Sequence, residues 1–272
     1  RSIHAGVKSR VLSLIIPALD EEERIEECLK SLEEQDLDRS EYEIIVVDGE
    51  STDRTREIAR VYAGKVITLR SEGIGGARRD GVEASNGEIL VFTDADTIHE
   101  KRWLRVISEN LKSYDVSTGP ILFYDDNYKS NLLRLWRKIY ILFHLFDFYW
   151  LIGSNMAIKM ETYQRIDGHR NISLLEDFDI SVKTFKEGDV LSKYDKNQCV
   201  YTSARRLDNL LTYFLIYAYG HYNYHLARNF GRLLDYPAFD KMDLKTILNI
   251  TGIQKKNDLY TNLRPRRGKK GE

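Results

Sequence analysis

The sequence contains few cysteines, and none of them stands in a metal-binding pattern. Cys28 and Cys199 are its only two cysteines, and they are far apart along the chain. Cys28 falls on the apolar stripe of a predicted helix, and Cys199 falls in a predicted strand. This usage favours two buried thiols in a reducing compartment.

The sequence also lacks a long hydrophobic run and an excess of either charge. No uninterrupted run reaches the ~20 apolar residues needed to cross a bilayer, and the polar start, residues 1–10, does not resemble a secretory signal. The 41 basic and 42 acidic residues leave a formal net charge of −1, so no global charge field would draw the chain onto nucleic acid. We therefore expect a cytoplasmic globular protein that binds no nucleic acid, with the cytoplasmic face of the membrane as an alternative location.

The first half of the chain alternates short apolar runs with segments of helical spacing. The apolar runs that predict strands are residues 12–16, 43–47, 66–69 and 89–93. Between them, Ile25, Cys28, Leu29 and Leu32 recur at helical spacing, and similar patterns follow the second, third and fourth runs. This alternation predicts βαβ units and an open, mostly parallel sheet flanked by helices.

Polar and glycine-rich segments predict where the helices begin. Asp20 and Glu23 have the spacing of a capping box before the first helix. Residues 51–53 can cap the second helix, and a glycine-rich turn at residues 73–76 leads into the third.

Three acidic segments follow predicted strands directly. They are residues 17–20, 48–53 and 94–96. Because ligands of open α/β sheets bind at the carboxyl ends of the strands, we expect all three segments at one edge. Asp94 and Asp96 are two residues apart, so in an extended segment both carboxylates point the same way and can approach one cation. Hard oxygen ligands suit Mg²⁺ or Mn²⁺ together with substrate phosphates, whereas a solvated turn is the alternative.

Five segments, in order along the chain, resemble the motifs of one enzyme family. They are residues 15–22 (IIPALDEE), 46–53 (VVDGESTD), 76–81 (GARRDG) with 87–89 and 92–96, 153–157 (GSNMA), and the acidic pair 176–177. This ordered set resembles family 2 glycosyltransferases, which have the GT-A fold, over roughly residues 11–206. The resemblance implies an enzyme that moves a sugar from a nucleoside-diphosphate sugar to an acceptor, with inversion at the sugar carbon.

The resemblance also implies roles for residues of the donor site. Pro17, Ala18 and Glu21 line the nucleotide pocket, Asp48 binds the base or ribose, and Arg78 lies near the nucleotide or its diphosphate. Asp96 is the direct metal ligand, and Asp94 contacts the ribose or the metal. Arg205 and Arg206 resemble a basic element that closes over the diphosphate, where a planar guanidinium suits phosphate. A solvated basic turn is the alternative for these two.

On the acceptor side, the resemblance implies that Gly153, Asn155 and Glu176 contact the acceptor and that Asp177 is the catalytic base. Asp177 would take a proton from the acceptor hydroxyl. For an acceptor that is a lipid-linked phosphate, already ionised, Asp177 would only orient it. UDP is the expected nucleotide, with GDP next; the acceptor is a carbohydrate or a polyprenyl-linked group. Two positions depart from the family's pattern: Ile98 stands where some relatives have a polar metal ligand, and Asp20 where many have Asn.

The second half of the chain is rich in aromatic residues. Residues 132–150 are dominated by apolar and aromatic side chains, which indicates an internal or dimer-forming helix or, alternatively, a helix at a membrane interface. Residues 213–224 predict a second aromatic-rich helix, on which His221 and His225 have the spacing of a zinc-ligand pair or of two packed histidines. The basic tail, residues 264–270, has the composition of a disordered segment that can touch anionic lipid.

We therefore divide the chain into a GT-A domain at residues 1–206 and a helical extension with a basic tail at 207–272. Within the domain, residues 11–113 form the donor half and 114–206 the acceptor half. A dinucleotide-binding dehydrogenase or a pyrophosphorylase would need a glycine-rich loop after the first strand, and residues 17–22 are not such a loop. Two alternatives are a catalytically inactive nucleotide-sugar binding protein and a membrane-surface scaffold.

Overall fold

A computed structural model describes residues 12–124, 141–203 and 210–234. Arg205, Arg206, the first part of the aromatic-rich stretch at 132–150, and the basic tail lie outside the described residues.

A seven-stranded sheet forms the centre of the described structure. The strands are β1 (Leu12–Ala18), β2 (Tyr42–Asp48), β3 (Lys65–Thr68), β4 (Ile89–Phe92), β5 (Thr97–His99), β6 (Val116–Thr118), β7 (Ile121–Phe123), β8 (Met156–Lys159), β9 (Ser192–Tyr194) and β10 (Val200–Thr202). Their order in this sheet is β3-β2-β1-β4-β8-β6-β9, and β8 alone runs antiparallel to its neighbours. The predicted α/β fold with a mostly parallel central sheet is confirmed. Both predicted halves supply strands to this one sheet.

A second, three-stranded sheet has the order β5-β10-β7. It joins the segment after Asp96 to residues 200–202, about a hundred positions later along the chain. This small sheet was not predicted, because three-residue strands are too short to show a period.

Helices cover the sheet. They are α1 (Ile25–Glu33), α2 (Thr55–Tyr62), α3 (Gly73–Glu83), α4 (Trp103–Asn110), α5 (Met160–Arg165), α6 (Glu176–Glu187) and α7 (Leu210–His221). Short 3₁₀ turns occur at Arg39–Glu41, Ile141–Phe146 and Phe230–Leu233, and a π-helical segment at Tyr222–Ala227 follows α7.

Both faces of the middle of the central sheet are buried, so β1, β2 and β4 are mostly apolar, whereas the outer strands β3 and β9 are half-buried and carry polar residues. Along β1, Leu14 and Ile16 pack on one side with α1, whereas Ile15 packs on the other side with Val47 and Phe92. Cys28 is fully buried in the first of these cores. A third cluster, which includes Leu174, Leu175, Ile216 and Leu233, attaches α7 to the turn before α6.

Two predictions of local structure were wrong. Asp20 does not cap α1: the helix starts at Ile25, and the Asp20 carboxylate instead accepts a hydrogen bond from the Thr52 backbone N–H. The glycines at 73–76 do not form a turn before α3 but make up its first turn. Gly73 has φ of +74°, a left-handed value that glycine adopts without strain, and its backbone lies close to Ile172.

Two features of the described structure bear on the membrane prediction. No helix in the described ranges is long and apolar enough to cross a bilayer. The 3₁₀ turn at Ile141–Phe146 exposes four large apolar side chains, those of Leu142, Phe143, Leu145 and Phe146. Over its described part, therefore, the aromatic-rich stretch is not an internal helix.

Candidate active site

The three acidic segments meet at one edge of the sheet, as predicted. β2, β1 and β4 are adjacent and parallel, with Ala18 opposite Asp48 and Ile15 opposite Phe92. The chain therefore leaves all three strands at the same edge. The Gly49 N–H donates to the Ala18 carbonyl oxygen over 2.8 Å, which extends the pairing of β1 and β2 past the strand ends.

The loops after β1 and β2 are hydrogen-bonded to each other. The Asp20 N–H donates to Ser51 Oγ over 3.0 Å, and the Thr52 N–H donates back to Asp20 Oδ1 over 2.8 Å. Next along the chain, the Glu21 N–H donates to Thr55 Oγ1 over 2.7 Å. Asp20 and Glu21 therefore hold the first loop against the second, on the side of the sheet edge where Pro17 and Ala18 end β1.

Asp48 is buried at the end of β2 and lies against a basic side chain. It is 1% exposed, its Oδ1 accepts from the Ser51 N–H over 3.3 Å, and its Oδ2 lies 3.3 Å from Arg56 Nε. Arg56 comes from α2 and had not been predicted as a site residue. A buried carboxylate beside a guanidinium offers an acceptor and a donor to a polar ligand.

Asp94, Ala95 and Asp96 form a turn and not the extended segment that the sequence argument assumed. β4 ends at Phe92, and the Thr97 N–H donates to the Asp94 carbonyl oxygen over 3.2 Å. The two carboxylates have different protein partners: Asp94 Oδ1 lies 2.9 Å from Arg78 Nη2, and Asp96 Oδ1 accepts from Thr202 Oγ1 over 3.3 Å. The prediction that Asp94 and Asp96 lie in an extended segment was therefore wrong.

The donor set at this turn fits a hard divalent cation that takes part of its coordination from substrate. In the described ranges, no group of three or more His, Cys, Asp and Glu side chains lies together as a ready metal cage. Mg²⁺ commonly binds through one or two carboxylates plus waters and phosphates. Asp94 and Asp96, two oxygen-donor side chains at the ligand edge of the sheet, match that pattern.

The acidic pair begins helix α6. Leu175, just before it, has φ of +65°, a left-handed conformation that costs a non-glycine residue energy, and its side chain is buried. Glu176 is 8% exposed, and the Asp177 carboxylate accepts from the Phe178 N–H over 2.7 Å at the start of the helix. The left-handed residue thus turns the chain so that two acidic residues lie in the first turn, where the helix dipole favours negative charge.

Burial and mutual repulsion disfavour ionisation of both carboxyl groups. Desolvation, followed by the charge of Asp177, raises the pKa of Glu176 to about 8, against the opposing effect of Arg78. Desolvation also raises the pKa of Asp177, while Arg78 and hydrogen bonds to the backbone of Phe178 and Gly153 oppose the rise. Both carboxyl groups are therefore harder to ionise here than in water, and because they interact they titrate as a pair.

Asp179, the third acid of this segment, has a structural role. It is fully buried, and it accepts from Arg170 Nε over 3.1 Å and from the Tyr224 hydroxyl over 2.8 Å. Lys183 Nζ lies 3.2 Å from its Oδ2. These contacts connect α6 to the segment after α7.

Arg78 lies between the aspartate turn and the acidic pair. It is 1% exposed; Nη1 donates to the Gly153 carbonyl oxygen over 2.7 Å, and Nη2 lies 2.9 Å from Asp94 Oδ1 and 3.6 Å from Glu176 Oε1. Gly153 leaves room for this group, because a Cβ there would lie 2.6 Å from Arg78 Cζ. The structure thus brings together Arg78, Asp94, Gly153 and Glu176.

Asn155 lies inside the protein and its amide is fully used there. It is 0% exposed; Oδ1 accepts from Trp103 Nε1 over 2.9 Å and from Gln198 Nε2 over 3.1 Å. Its Nδ2 donates to the carbonyl oxygens of Pro120 and Gln198, over 3.1 Å and 2.7 Å. All four hydrogen-bonding positions of the amide are taken within the protein, which counts against the expected contact of the Asn155 side chain with the acceptor.

His99 is a buried histidine that supports the end of β4. Its Nδ1 lies 2.8 Å from Ser31 Oγ and its Nε2 lies 2.8 Å from Thr93 Oγ1. The two hydroxyls also lie against backbone carbonyl oxygens: Ser31 Oγ donates to that of Cys28 over 2.7 Å, and Thr93 Oγ1 to that of Ser154 over 3.1 Å. Burial lowers the pKa of His99 to about 3, so the ring is neutral at physiological pH. His99, Thr202 and Arg56 were missed because no local pattern places them near the aspartates.

His221 and His225 stack with ring centroids 5.6 Å apart, and both rings contact Phe178. No third His, Cys, Asp or Glu in the described ranges joins them as a metal group. The two histidines therefore act here as packing partners of the residue that follows Asp177.

Known proteins of similar sequence or fold are glycosyltransferases. The glycosyltransferase AglE of Haloferax volcanii is 38% identical over 99 residues, which are 34% of this chain and 33% of that protein. The chain thus spans about a third of the length of that curated relative. A mannosyltransferase of Pyrobaculum calidifontis, solved with GDP-mannose and Mn²⁺, superposes with a TM-score of 0.61 and 17% identity over 95% of this chain and 78% of that one.

Another solved relative is TarS of S. aureus, residues 1–349, in complex with UDP-GlcNAc. It superposes with a TM-score of 0.57 and 17% identity, over 94% of this chain and 82% of that one. These likenesses show the fold. The model of the family described as glycosyl transferase family 2 matches residues 13–167, which is more than half of the chain. The chain belongs to glycosyl transferase family 2 and has the GT-A fold.

Proposed function

We propose that this protein is an inverting glycosyltransferase that moves a sugar from a nucleoside-diphosphate sugar to an acceptor hydroxyl. The observation that supports this most is the convergence of Asp48, the aspartate turn and the acidic pair at one sheet edge, with Arg78 between the last two. A protein that only binds a nucleotide sugar needs Asp48 and the aspartate turn. It does not need the partly exposed carboxylate of Asp177, which the strained residue Leu175 holds at the start of α6.

The donor contacts are proposed from this arrangement. Asp48, with Pro17, Ala18 and Glu21 beside it, holds the nucleoside, and Arg56 adds a donor there. UDP is the proposed nucleotide and GDP the next, since relatives have been solved with UDP-GlcNAc and with GDP-mannose. Arg205 and Arg206 remain proposed diphosphate contacts.

In the transfer step, Asp177 takes the proton of the acceptor hydroxyl as that oxygen bonds to the anomeric carbon. The bond from that carbon to the diphosphate oxygen breaks, and its electron pair leaves with the nucleoside diphosphate. Glu176 keeps its own proton and can donate a hydrogen bond to the acceptor. Asp96, with Asp94, would hold Mg²⁺ or Mn²⁺, which supplies neutralisation of charge on the leaving group. Among the GT-A relatives, complexes containing Mn²⁺ support this assignment.

The acceptor is proposed to be a carbohydrate hydroxyl, with a polyprenyl-linked group as the second candidate. Exposed Leu142, Phe143, Leu145 and Phe146 favour contact of this surface with the membrane face that holds such a lipid. Co-sedimentation with vesicles of phosphatidylglycerol and phosphatidylcholine tests this contact. We expect binding that falls when Leu145 and Phe146 are both changed to Ser, and equal binding of the two proteins would exclude this surface as the contact.

A thermal-shift panel of UDP-, GDP- and dTDP-sugars, with and without Mn²⁺, tests the donor site. A ligand that binds the folded state raises its apparent stability by mass action. We expect a metal-dependent shift with one nucleotide, and loss of that metal dependence in Asp96→Ala. A thermal shift with a donor that is the same without Mn²⁺ would contradict the proposed metal site. The absence of a shift with every donor would contradict the proposed glycosyltransferase function.

A further inference from the structure

We propose that Arg78 is a positioning residue that holds Asp94 and the acidic pair Glu176–Asp177 in one fixed arrangement, and that it does not contact the donor diphosphate. The inference rests on the proposed function, since it concerns the same site. It differs from the role that the family resemblance implies, in which Arg78 lies at the nucleotide.

Two of the three guanidinium nitrogens of Arg78 have partners inside the protein, and the third, Nε, is buried with no hydrogen-bond partner in the described structure. Its Nη1 donates to the Gly153 carbonyl oxygen over 2.7 Å, and its Nη2 is shared between Asp94, at 2.9 Å, and Glu176, at 3.6 Å. The remaining nitrogen, Nε, is buried. With 1% of the residue exposed, none of the three nitrogens faces a ligand in solvent.

The surroundings of Arg78 hold it in this place. Its Cζ lies 5.8 Å from the centre of the Phe92 ring, at the end of β4. The helix that bears it, α3, is fixed at its start, where the Gly75 N–H donates to the Ile172 carbonyl oxygen over 2.8 Å. Gly153 has no side chain to occupy the space that the guanidinium fills. A move towards a diphosphate would break the hydrogen bonds from Arg78 to the Gly153 carbonyl oxygen and to Asp94.

These contacts connect the two sides of the reaction. Asp94 belongs to the turn on the donor side, and Glu176 precedes the proposed base. A cation that is hydrogen-bonded to Asp94 at 2.9 Å and lies 3.6 Å from Glu176 sets the distance between the donor and acceptor groups. Displacement of reacting groups by about 1 Å can cost ~100-fold in rate, so the expected effect of losing Arg78 is on turnover and not on nucleotide affinity.

The test compares Arg78→Met, which keeps the length but removes the charge, with Arg78→Lys and with Arg79→Met. Arg79 is the exposed neighbour on α3 and serves as the matched control. Affinity for UDP with Mn²⁺ is measured by calorimetry. Donor turnover is measured as release of nucleoside diphosphate from UDP-glucose, UDP-GlcNAc or GDP-mannose, whichever the unaltered protein hydrolyses.

For Arg78→Met we expect nucleotide affinity within about threefold of the unaltered protein and turnover lower by ~100-fold. Arg78→Lys should recover about tenfold of this loss in turnover. The ammonium group replaces the charge but not the planar set of N–H donors of the guanidinium. Arg79→Met changes neither quantity.

If Arg78→Met does not fold, Gly153→Ala replaces it, because its methyl group displaces the guanidinium while the charge stays. The same pattern is expected: affinity retained and turnover reduced. The inference would be overturned by an Arg78 or Gly153 variant whose nucleotide affinity falls tenfold while its turnover at saturation is unchanged. Arg78 would then be a contact of the donor diphosphate. Unchanged turnover and affinity would overturn it as well. If the unaltered protein hydrolyses no donor, the proposed function fails, and this inference fails with it.

Discussion

Replacing Asn155 by alanine should unfold the protein and not weaken acceptor binding selectively. The Asn155 side chain makes four hydrogen bonds in a fully buried position. After truncation, Gln198 Nε2 keeps a bond to the Ser117 carbonyl oxygen and the Pro120 carbonyl oxygen keeps the Val200 N–H. The Trp103 indole N–H loses its bond to Asn155 Oδ1, and the Gln198 carbonyl oxygen loses its bond from Asn155 Nδ2.

Two buried polar groups left without a partner cost about 2–6 kcal/mol together. This loss is a large part of the 5–15 kcal/mol by which a domain is typically stable. We therefore expect the urea midpoint of Asn155→Ala to fall sharply, measured by far-UV circular dichroism. Asn197→Ala, which truncates an exposed asparagine on the neighbouring turn, should leave the midpoint unchanged. An Asn155→Ala variant with an unchanged urea midpoint and a higher KM for the acceptor would refute this reasoning. Asn155 would then be an acceptor-binding residue.

Three further predictions follow from the contacts near the site. Glu176, with its pKa raised from 4.5 to about 8, keeps a proton that the unfolded chain releases, so between these pH values its contribution to the free energy of unfolding falls as pH rises. In Glu176→Gln, the free energy of unfolding in urea should no longer fall between pH 5.5 and pH 8. An equal fall in both proteins would contradict the raised pKa of Glu176. Gly220→Ala should lower the thermal midpoint despite its better helix propensity, because the new Cβ would lie 2.8 Å from Leu174 Cδ2; a higher midpoint would show that the cluster has room. Asp20→Asn should retain stability, because Asn also accepts from the Thr52 N–H and tolerates the left-handed φ of 51°. Asp20→Ala should lower the free energy of unfolding by about 1–2 kcal/mol. Equal free energies of unfolding for the two variants would argue against the contact between the loops.

The sequence predicted the central sheet and the edge where the site lies, because both depend on local patterns. Apolar runs of four or five residues identify β1, β2, β3 and β4, and the acidic residues directly after three of them must leave the sheet at one edge. The acidic pair at the start of α6 follows similarly from its motif.

Contacts between distant parts of the chain could not be predicted in this way. Arg78 meets Gly153, which is 75 positions away, and Asp96 meets Thr202, which is 106 positions away. The burial of Asn155 depends on Trp103 and Gln198, and no spacing in the sequence indicates that three such distant side chains share one network.

The most direct test of the proposed function measures release of nucleoside diphosphate from a UDP-sugar with Mn²⁺, in the unaltered protein and in Asp177→Asn. Binding of UDP is followed in parallel by calorimetry. The proposal predicts turnover in the unaltered protein, a loss of at least ~100-fold in Asp177→Asn because the base is removed, and unchanged nucleotide affinity. Nucleotide binding without turnover in the unaltered protein, or equal turnover in the two proteins, would contradict the assignment of Asp177 as the base of a glycosyltransferase.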